Sequence, residues 1–254
     1  MADPYSLSGK FVVVTGGTRG LGRMVSLAAA RGGARVLSVY ARNDDAANAL
    51  AAEASREGLD VAILRADLSG EKGLKSIEEA CSARTEERTL CLVHCAATGV
   101  HKPVAELTVR HLEWTFAVNV RAFLELTQRL LPRFRAGSAV VAVSSAGAER
   151  AVPGYTLVGS SKGALESLAR HLAAELAPRG VRVNVLAPGS VPTDAWAAMP
   201  DRERRLAEAA ARTPRGALVT PDEVALAARF LLSDAAAGIV GHTLVVDGGR
   251  RIVE

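Results

Sequence analysis

No stretch of this sequence approaches the roughly 18 uninterrupted apolar residues that a membrane span requires, although hydrophobic residues make up 49% of it. The opening residues, Met-Ala-Asp-Pro-Tyr-Ser-Leu-Ser-Gly-Lys, lack a basic region followed by an apolar one, so no secretion signal is read and a cytoplasmic location is expected. Cysteine is scarce. Cys81, Cys91 and Cys95 are too few for a disulfide framework or a four-ligand zinc site, and no metal is expected. Cys91 and Cys95 lie in or beside the apolar run 90–94 and read as small buried hydrophobes rather than reactive thiols. Aromatic residues are only 4%, and the basic residues are scattered, so no aromatic-interleaved basic stripe points to nucleic acid. Nothing resembling a linker interrupts the 254 residues, which read as one domain. The net charge of +4 suits an anionic partner such as a phosphorylated cofactor, coenzyme A or an acidic carrier protein.

What is present is a regular alternation. Apolar, β-branched runs at 11–15, 35–40, 60–65, 90–94, 139–144, 182–187 and 243–246 read as strands. Alanine-rich amphipathic stretches near 20–32, 44–57, 70–84, 104–134, 155–178 and 221–232 read as the helices between them. Strand and helix in this order imply an α/β fold, a Rossmann-type, doubly wound, seven-stranded parallel sheet. The stretch 191–216, interrupted by Pro192 and Pro200 and carrying Trp196, follows a strand end and is expected to form a substrate lid.

The first strand runs into Thr15-Gly16-Gly17-Thr18-Arg19-Gly20-Leu21-Gly22, and a helix follows. Glycines there let backbone approach a pyrophosphate, and the free amides at the helix start supply donors. About 20 residues on, where NAD-selective folds place an acid, the second strand ends in Arg42. Arg19 and Arg42 can clamp an adenosine 2′-phosphate, so NADPH is expected over NADH. Asp44 and Asp45 stand close enough to complicate that reading.

Together with that turn, Asp67-Leu68, Asn119, Ser144-Ser145, Lys162 and Pro188-Gly189-x-x-x-Thr193 resemble the short-chain dehydrogenase/reductase family over essentially the whole chain. The closing Gly241-His242-Thr243-Leu244-Val245-Val246-Asp247-Gly248-Gly249 resembles the family's last strand and turn. The resemblance implies Asp67 and Leu68 near adenine, Asn119 supporting a relay water, Lys162 on the nicotinamide ribose and Thr193 near the carboxamide. It further implies a homodimer or homotetramer joined through the helices at 104–134 and 155–178.

Two departures stand out. His94-Cys95-Ala96-Ala97 replaces the family's Asn-Asn-Ala-Gly; Ala96 and Ala97 still permit close cofactor approach, and His94 reads as a core histidine before a catalytic base. Four residues before Lys162, where most members carry their tyrosine, stands Val158. Tyr155 lies seven before the lysine, a spacing that returns to nearly the same helix face, displaced from the usual position by roughly 4.5 Å. An α,β-unsaturated thioester takes hydride two bonds from its carbonyl carbon, so a phenol one turn away suits the enolate oxygen. This Tyr-x6-Lys arrangement, with Ala148-Glu149-Arg150-Ala151-Val152-Pro153-Gly154-Tyr155 and Ala96-Ala97-Thr98-Gly99-Val100, resembles the NADPH-dependent enoyl-acyl-carrier-protein reductase branch. That likeness implies an acyl thioester substrate, on carrier protein or coenzyme A, in fatty acid or polyketide biosynthesis. Ser145, ten residues before Tyr155, is expected to hold the tyrosine or the thioester oxygen. Two other readings stay open: a ketoreductase or dehydrogenase for a cyclic or polyketide-like substrate, and a catalytically silent NADP(H)-binding protein.

Overall fold

A computed structural model describes residues 3–83, 88–192 and 202–253, apart from the side chains of Arg202 and Arg205. Seven strands, β1 (Lys10–Thr15), β2 (Arg35–Tyr40), β3 (Val61–Arg65), β4 (Thr89–His94), β5 (Ala139–Val143), β6 (Arg182–Pro188) and β7 (Thr243–Val246), form one sheet. Their order is β3-β2-β1-β4-β5-β6-β7, and every pairing is parallel. Buried on both faces, such a sheet needs near-continuous apolar strands, and alternate residues of β1 serve opposite cores. Phe11 and Val13 pack with Leu74, Ile77, Phe123, Leu126 and Leu165 on one side. Val12 and Val14 pack with Val25, Ala29, Val224 and Leu231 on the other.

The helices of the first side are α3 (Glu71–Ser82), α5 (Ala122–Leu130) and α6 (Thr156–Leu176), with α4 (Val109–Phe116) in contact with α6; those of the second are α1 (Gly20–Arg31) and α8 (Pro221–Leu232). The remaining helices are α2 (Asp44–Arg56), between β2 and β3, and α7 (Arg202–Ala211).

The helix expected over 104–134 is not continuous. Residues Val104–Glu106 form a separate 3-10 turn, and α4 begins only after Thr108, whose hydroxyl accepts the His111 N–H while the His111 ring accepts the Thr108 N–H. This reciprocal cap fixes the start five residues later than periodicity suggested. Between α4 and α5 a π-helical turn, Ala117–Arg121, carries Asn119. Helix α7 falls within the stretch expected to be a lid, whereas residues 193–201, with Thr193 and Trp196, lie outside the described residues. No described helix is long and apolar enough to cross a membrane.

The order of strands reverses at β1 and β4, which are neighbours although consecutive strands run outward from each. In open α/β sheets this is where a crevice opens beyond the carboxyl ends. Thr15 and His94 face each other across it.

Candidate active site

Beyond β1 the glycine turn is packed to the limit. A Cβ on Gly16 would lie 2.9 Å from Ala96 Cα, and one on Gly22 would lie 2.1 Å from the Gly16 carbonyl oxygen. Gly16 also holds φ at +65°, a region open to glycine. Two buried serines support the turn from beneath: Ser26 Oγ donates to the Gly17 carbonyl at 3.0 Å, and Ser38 Oγ donates to Ser26 Oγ at 2.6 Å. The surface above is therefore bare backbone at the start of α1, with Thr18 buried and Arg19 exposed as the residue preceding the helix. Gly20 and Leu21 follow as its first two residues. A cleft of about 380 Å³ opens beside the turn, lined by Thr18, Arg19, Gly20, Arg23, Ala46 and Pro192. These features fit a pyrophosphate, which needs close backbone approach and unpaired helix-start amides.

The groups expected around an adenosine converge on the same end of the sheet. Arg42 is exposed just past β2. Of the two neighbouring acids, Asp44 is engaged elsewhere: it accepts the Tyr40 hydroxyl at 2.8 Å and lies 3.5 Å from Arg65. Asp67 is exposed and Leu68 buried. The Ser69 N–H and hydroxyl, both on Asp67 Oδ1, hold that carboxyl below its usual range, and the charge of Arg42 adds to the effect. Pro188 ends β6, and Gly189 comes so close to the turn after β7 that a Cβ there would meet Asp247 Cβ at 2.7 Å.

His94 ends β4 fully buried. The Ala96 N–H donates to Thr15 Oγ1 at 3.2 Å, the Thr15 hydroxyl meets His94 Nδ1 at 3.1 Å, and His94 Nε2 meets the Val118 carbonyl at 3.1 Å. A carbonyl can only accept, so the proton sits on Nε2 and Nδ1 accepts from the threonine. Burial first, then the Lys162 charge, lower the imidazole to about 3. His94 is thus a neutral strut joining β1, β4 and the π-turn, and is no general acid near neutrality. Because the unfolded chain takes up a proton near 6.5 that the native ring refuses until about 3, stability should fall as pH drops through that window. The slope from this group is at most about 1.4 kcal/mol per pH unit. Urea unfolding of wild type and His94→Asn at pH 7 and pH 5 checks it: the variant should lose less stability than wild type between the two, and equal losses would contradict the account.

Asn119 is also buried, and its side chain is fully engaged as a donor. Oδ1 accepts the Thr98 N–H at 2.8 Å; Nδ2 donates to the Thr98 carbonyl and to Ser161 Oγ, both at 2.9 Å. It braces the loop after β4 against α6, leaving no side-chain donor for a relay water.

Tyr155 stands at the residue before α6 rather than inside the helix. Its ring lies against Gly147, where a Cβ would come within 2.6 Å of it, and stacks with the His101 imidazole at 5.3 Å between centroids and 9° between planes. Its hydroxyl is 3.5 Å from Ser145 Oγ. Val158 is buried, with its Cγ2 filling the space over Gly99, where an added Cβ would lie 2.1 Å away. The position four residues before the lysine is thus apolar packing. Lys162 is buried, and its Nζ donates to the Val143 carbonyl at 2.7 Å. Desolvation brings its pKa down to about 8. Cys91 is fully buried, and burial pushes the Cys95 thiol up to about 11, so neither is a nucleophile.

Three features had little or no signal in the sequence. His101 reaches Tyr155 from a loop without periodicity. The Ser26–Ser38 pair joins two elements 12 residues apart. Glu166, buried with its Oε1 accepting Ser144 Oγ at 2.5 Å, is four residues after Lys162, a spacing that places both on one helix face.

Residues 16–251 match a protein family described as enoyl-(acyl carrier protein) reductase. The 1-cyclohexenylcarbonyl-CoA reductase of Streptomyces collinus is 34% identical over 95% of this chain and 86% of its own length. The 7α-hydroxysteroid dehydrogenase of Escherichia coli is 31% identical over 98% of this chain and 96% of its own. Among solved structures, a short-chain dehydrogenase from Burkholderia cenocepacia in complex with NADP superposes with a TM-score of 0.89 at 28% identity, covering 96% of this chain and 99% of that one. The parallel sheet, the glycine turn at its switch point and these whole-length similarities lead to one conclusion: the chain belongs to the short-chain dehydrogenase/reductase family and is an oxidoreductase of that type.

Proposed function

We propose that this protein reduces a 2-enoyl thioester with NADPH, adding hydride at the β-carbon. One observation carries the reading: the phenol offered to Ser145 is that of Tyr155, seven residues before Lys162, while Val158 closes the usual position with apolar packing. The similarity to a reductase named for a cyclohexenylcarbonyl-CoA supports a conjugated thioester as substrate. The structure of a similar dehydrogenase with NADP supports the cofactor.

Bound nicotinamide supplies the hydride. The residues of this chain do the rest. Bare backbone at 16–22 receives the pyrophosphate, with Ala96 close enough to wall the pocket. Lys162, one N–H committed to the Val143 carbonyl, keeps its other donors for the ribose hydroxyls. Tyr155 donates to the thioester oxygen as negative charge develops there, which lowers the barrier because the donor is already oriented. Ser145 offers a second hydroxyl beside it. Asp67 and Leu68 border the adenine, Arg19 and Arg42 the 2′-phosphate, and Gly189 the nicotinamide side.

Arg19→Ala and Arg42→Ala should each weaken NADPH binding about tenfold while leaving NADH nearly unchanged, since a charge-assisted contact contributes about 1.5 kcal/mol or more. Nicotinamide fluorescence titration with both cofactors measures this, and equal losses for NADPH and NADH would contradict the clamp. The reaction itself is tested by incubating the protein with NADPH and crotonyl- or octenoyl-thioesters on coenzyme A and carrier protein. Consumption of cofactor is expected; no turnover across chain lengths would reject the reading. A second reading, ketone reduction or alcohol oxidation, is favoured by the likeness to a hydroxysteroid dehydrogenase. A ketone panel run beside the thioesters separates the two.

A further inference from the structure

Three consecutive residues at the end of β5 each hold one group from α6 or its start. The Val143 carbonyl accepts from Lys162 Nζ at 2.7 Å, the Ser144 hydroxyl donates to Glu166 Oε1 at 2.5 Å, and the Ser145 hydroxyl faces Tyr155 at 3.5 Å. The first and third of these groups belong to the proposed chemistry. The second, a carboxyl group only 5% exposed, has no part in it. At 2.5 Å the Ser144 hydroxyl makes a short hydrogen bond to that carboxyl group. Among the described residues Glu166 has no cation within ion-pair distance, so its charge is balanced at longer range by Lys162, one turn earlier on the same face.

We propose that Glu166 is a positioning residue for Lys162: anchored by Ser144, it joins α6 to the end of β5 and keeps a negative charge beneath the ammonium. This rests on the reading that Lys162 holds the nicotinamide ribose. The groups around Lys162 leave Glu166 as the source of that charge. From β4, His94 is neutral, being lowered to about 3. From the following loop, the Cys95 thiol keeps its proton up to about 11. Tyr155 lies at the start of the same helix, and β5 contributes only the Val143 carbonyl. Burial lowers Lys162 to about 8, and Cys95 and then Glu166 oppose that descent; of the two, Glu166 is the one whose proton is not held up to about 11. Without it, the lysine would shed its proton within the physiological range.

The test is the pH dependence of NADPH binding, followed by nicotinamide fluorescence from pH 6 to 10. Wild type should lose affinity along an alkaline limb centred near 8, as Lys162 deprotonates. Glu166→Gln keeps an oxygen for Ser144 but removes the charge, and should move that limb down by about one pH unit. Glu166→Asp, which restores the charge, should bring it back toward wild type. A limb unmoved in Glu166→Gln, or absent from wild type, would overturn the proposal. Should Glu166→Gln not fold, Ser144→Ala, which releases the carboxylate from its anchor, must also lower the limb, and an unchanged limb there overturns the proposal equally. No substrate enters these titrations, so failure of the enoyl-thioester reading and failure of this one are separately visible.

Discussion

Tyr155→Phe should lower kcat/KM for a 2-enoyl thioester by roughly a hundred- to ten-thousand-fold, the range for removing a principal proton or hydrogen-bond donor at an oxygen that gains charge. The change deletes one atom. The ring keeps its bed against Gly147 and its stack with His101, so fold and pocket should persist. Affinity for NADPH should change less than about threefold, because the cofactor turn and Lys162 are untouched. The loss should fall on kcat as well as kcat/KM, as expected for a contact that strengthens only in the transition state. Steady-state kinetics with crotonyl-CoA, beside a fluorescence titration of the cofactor, gives both numbers. A kcat/KM within a few fold of wild type would remove Tyr155 from the chemistry.

Gly22→Ala should abolish measurable NADPH binding at micromolar cofactor and lower stability by about 1–3 kcal/mol. The new methyl would sit 2.1 Å from the Gly16 oxygen, 2.8 Å from its carbonyl carbon and 3.1 Å from Gly17 Cα. All three are backbone, so no rotamer relieves the clash and the turn itself must open. Gly238→Ala is the control, since a Cβ there meets nothing within 4 Å and φ is unremarkable for an L residue. Urea unfolding and cofactor titration of both variants measure the contrast. Equal behaviour of the two would mean that the close approach of Gly22 to Gly16 does not shape the site.

Local pattern carried the sheet, and contacts between distant residues carried much of the rest. Phe11 to Thr15 reads as a strand because every residue there is apolar or β-branched, and it lies in β1. The glycine turn was equally legible, since its spacing reflects backbone geometry that only glycine satisfies. The start of α4 was not: Thr108 and His111 set it by capping each other, whereas apolar residues at 104 and 107 extend the helical pattern backwards. Asn119 was legible as a candidate through the family resemblance alone, whereas its hydrogen bonds are made to Thr98 and Ser161, 21 and 42 residues away. His94 illustrates the same limit. Its burial is legible in the apolar run it ends, but the partners Thr15 and Val118 that make it a neutral strut are not written in the residues beside it. Glu166 was within reach, because i and i+4 share a helix face, yet a lone glutamate in an amphipathic helix ordinarily faces water.

The most direct test of the central claim locates the hydride. Wild-type protein is given crotonyl-CoA and NADPH deuterated at nicotinamide C4, and the product is read by NMR. Deuterium at the β-carbon of butyryl-CoA is the result that Tyr155, seven residues before Lys162, leads us to expect. An untouched enoyl thioester, alongside a ketone reduced by the same protein with deuterium on its carbinol carbon, would contradict it.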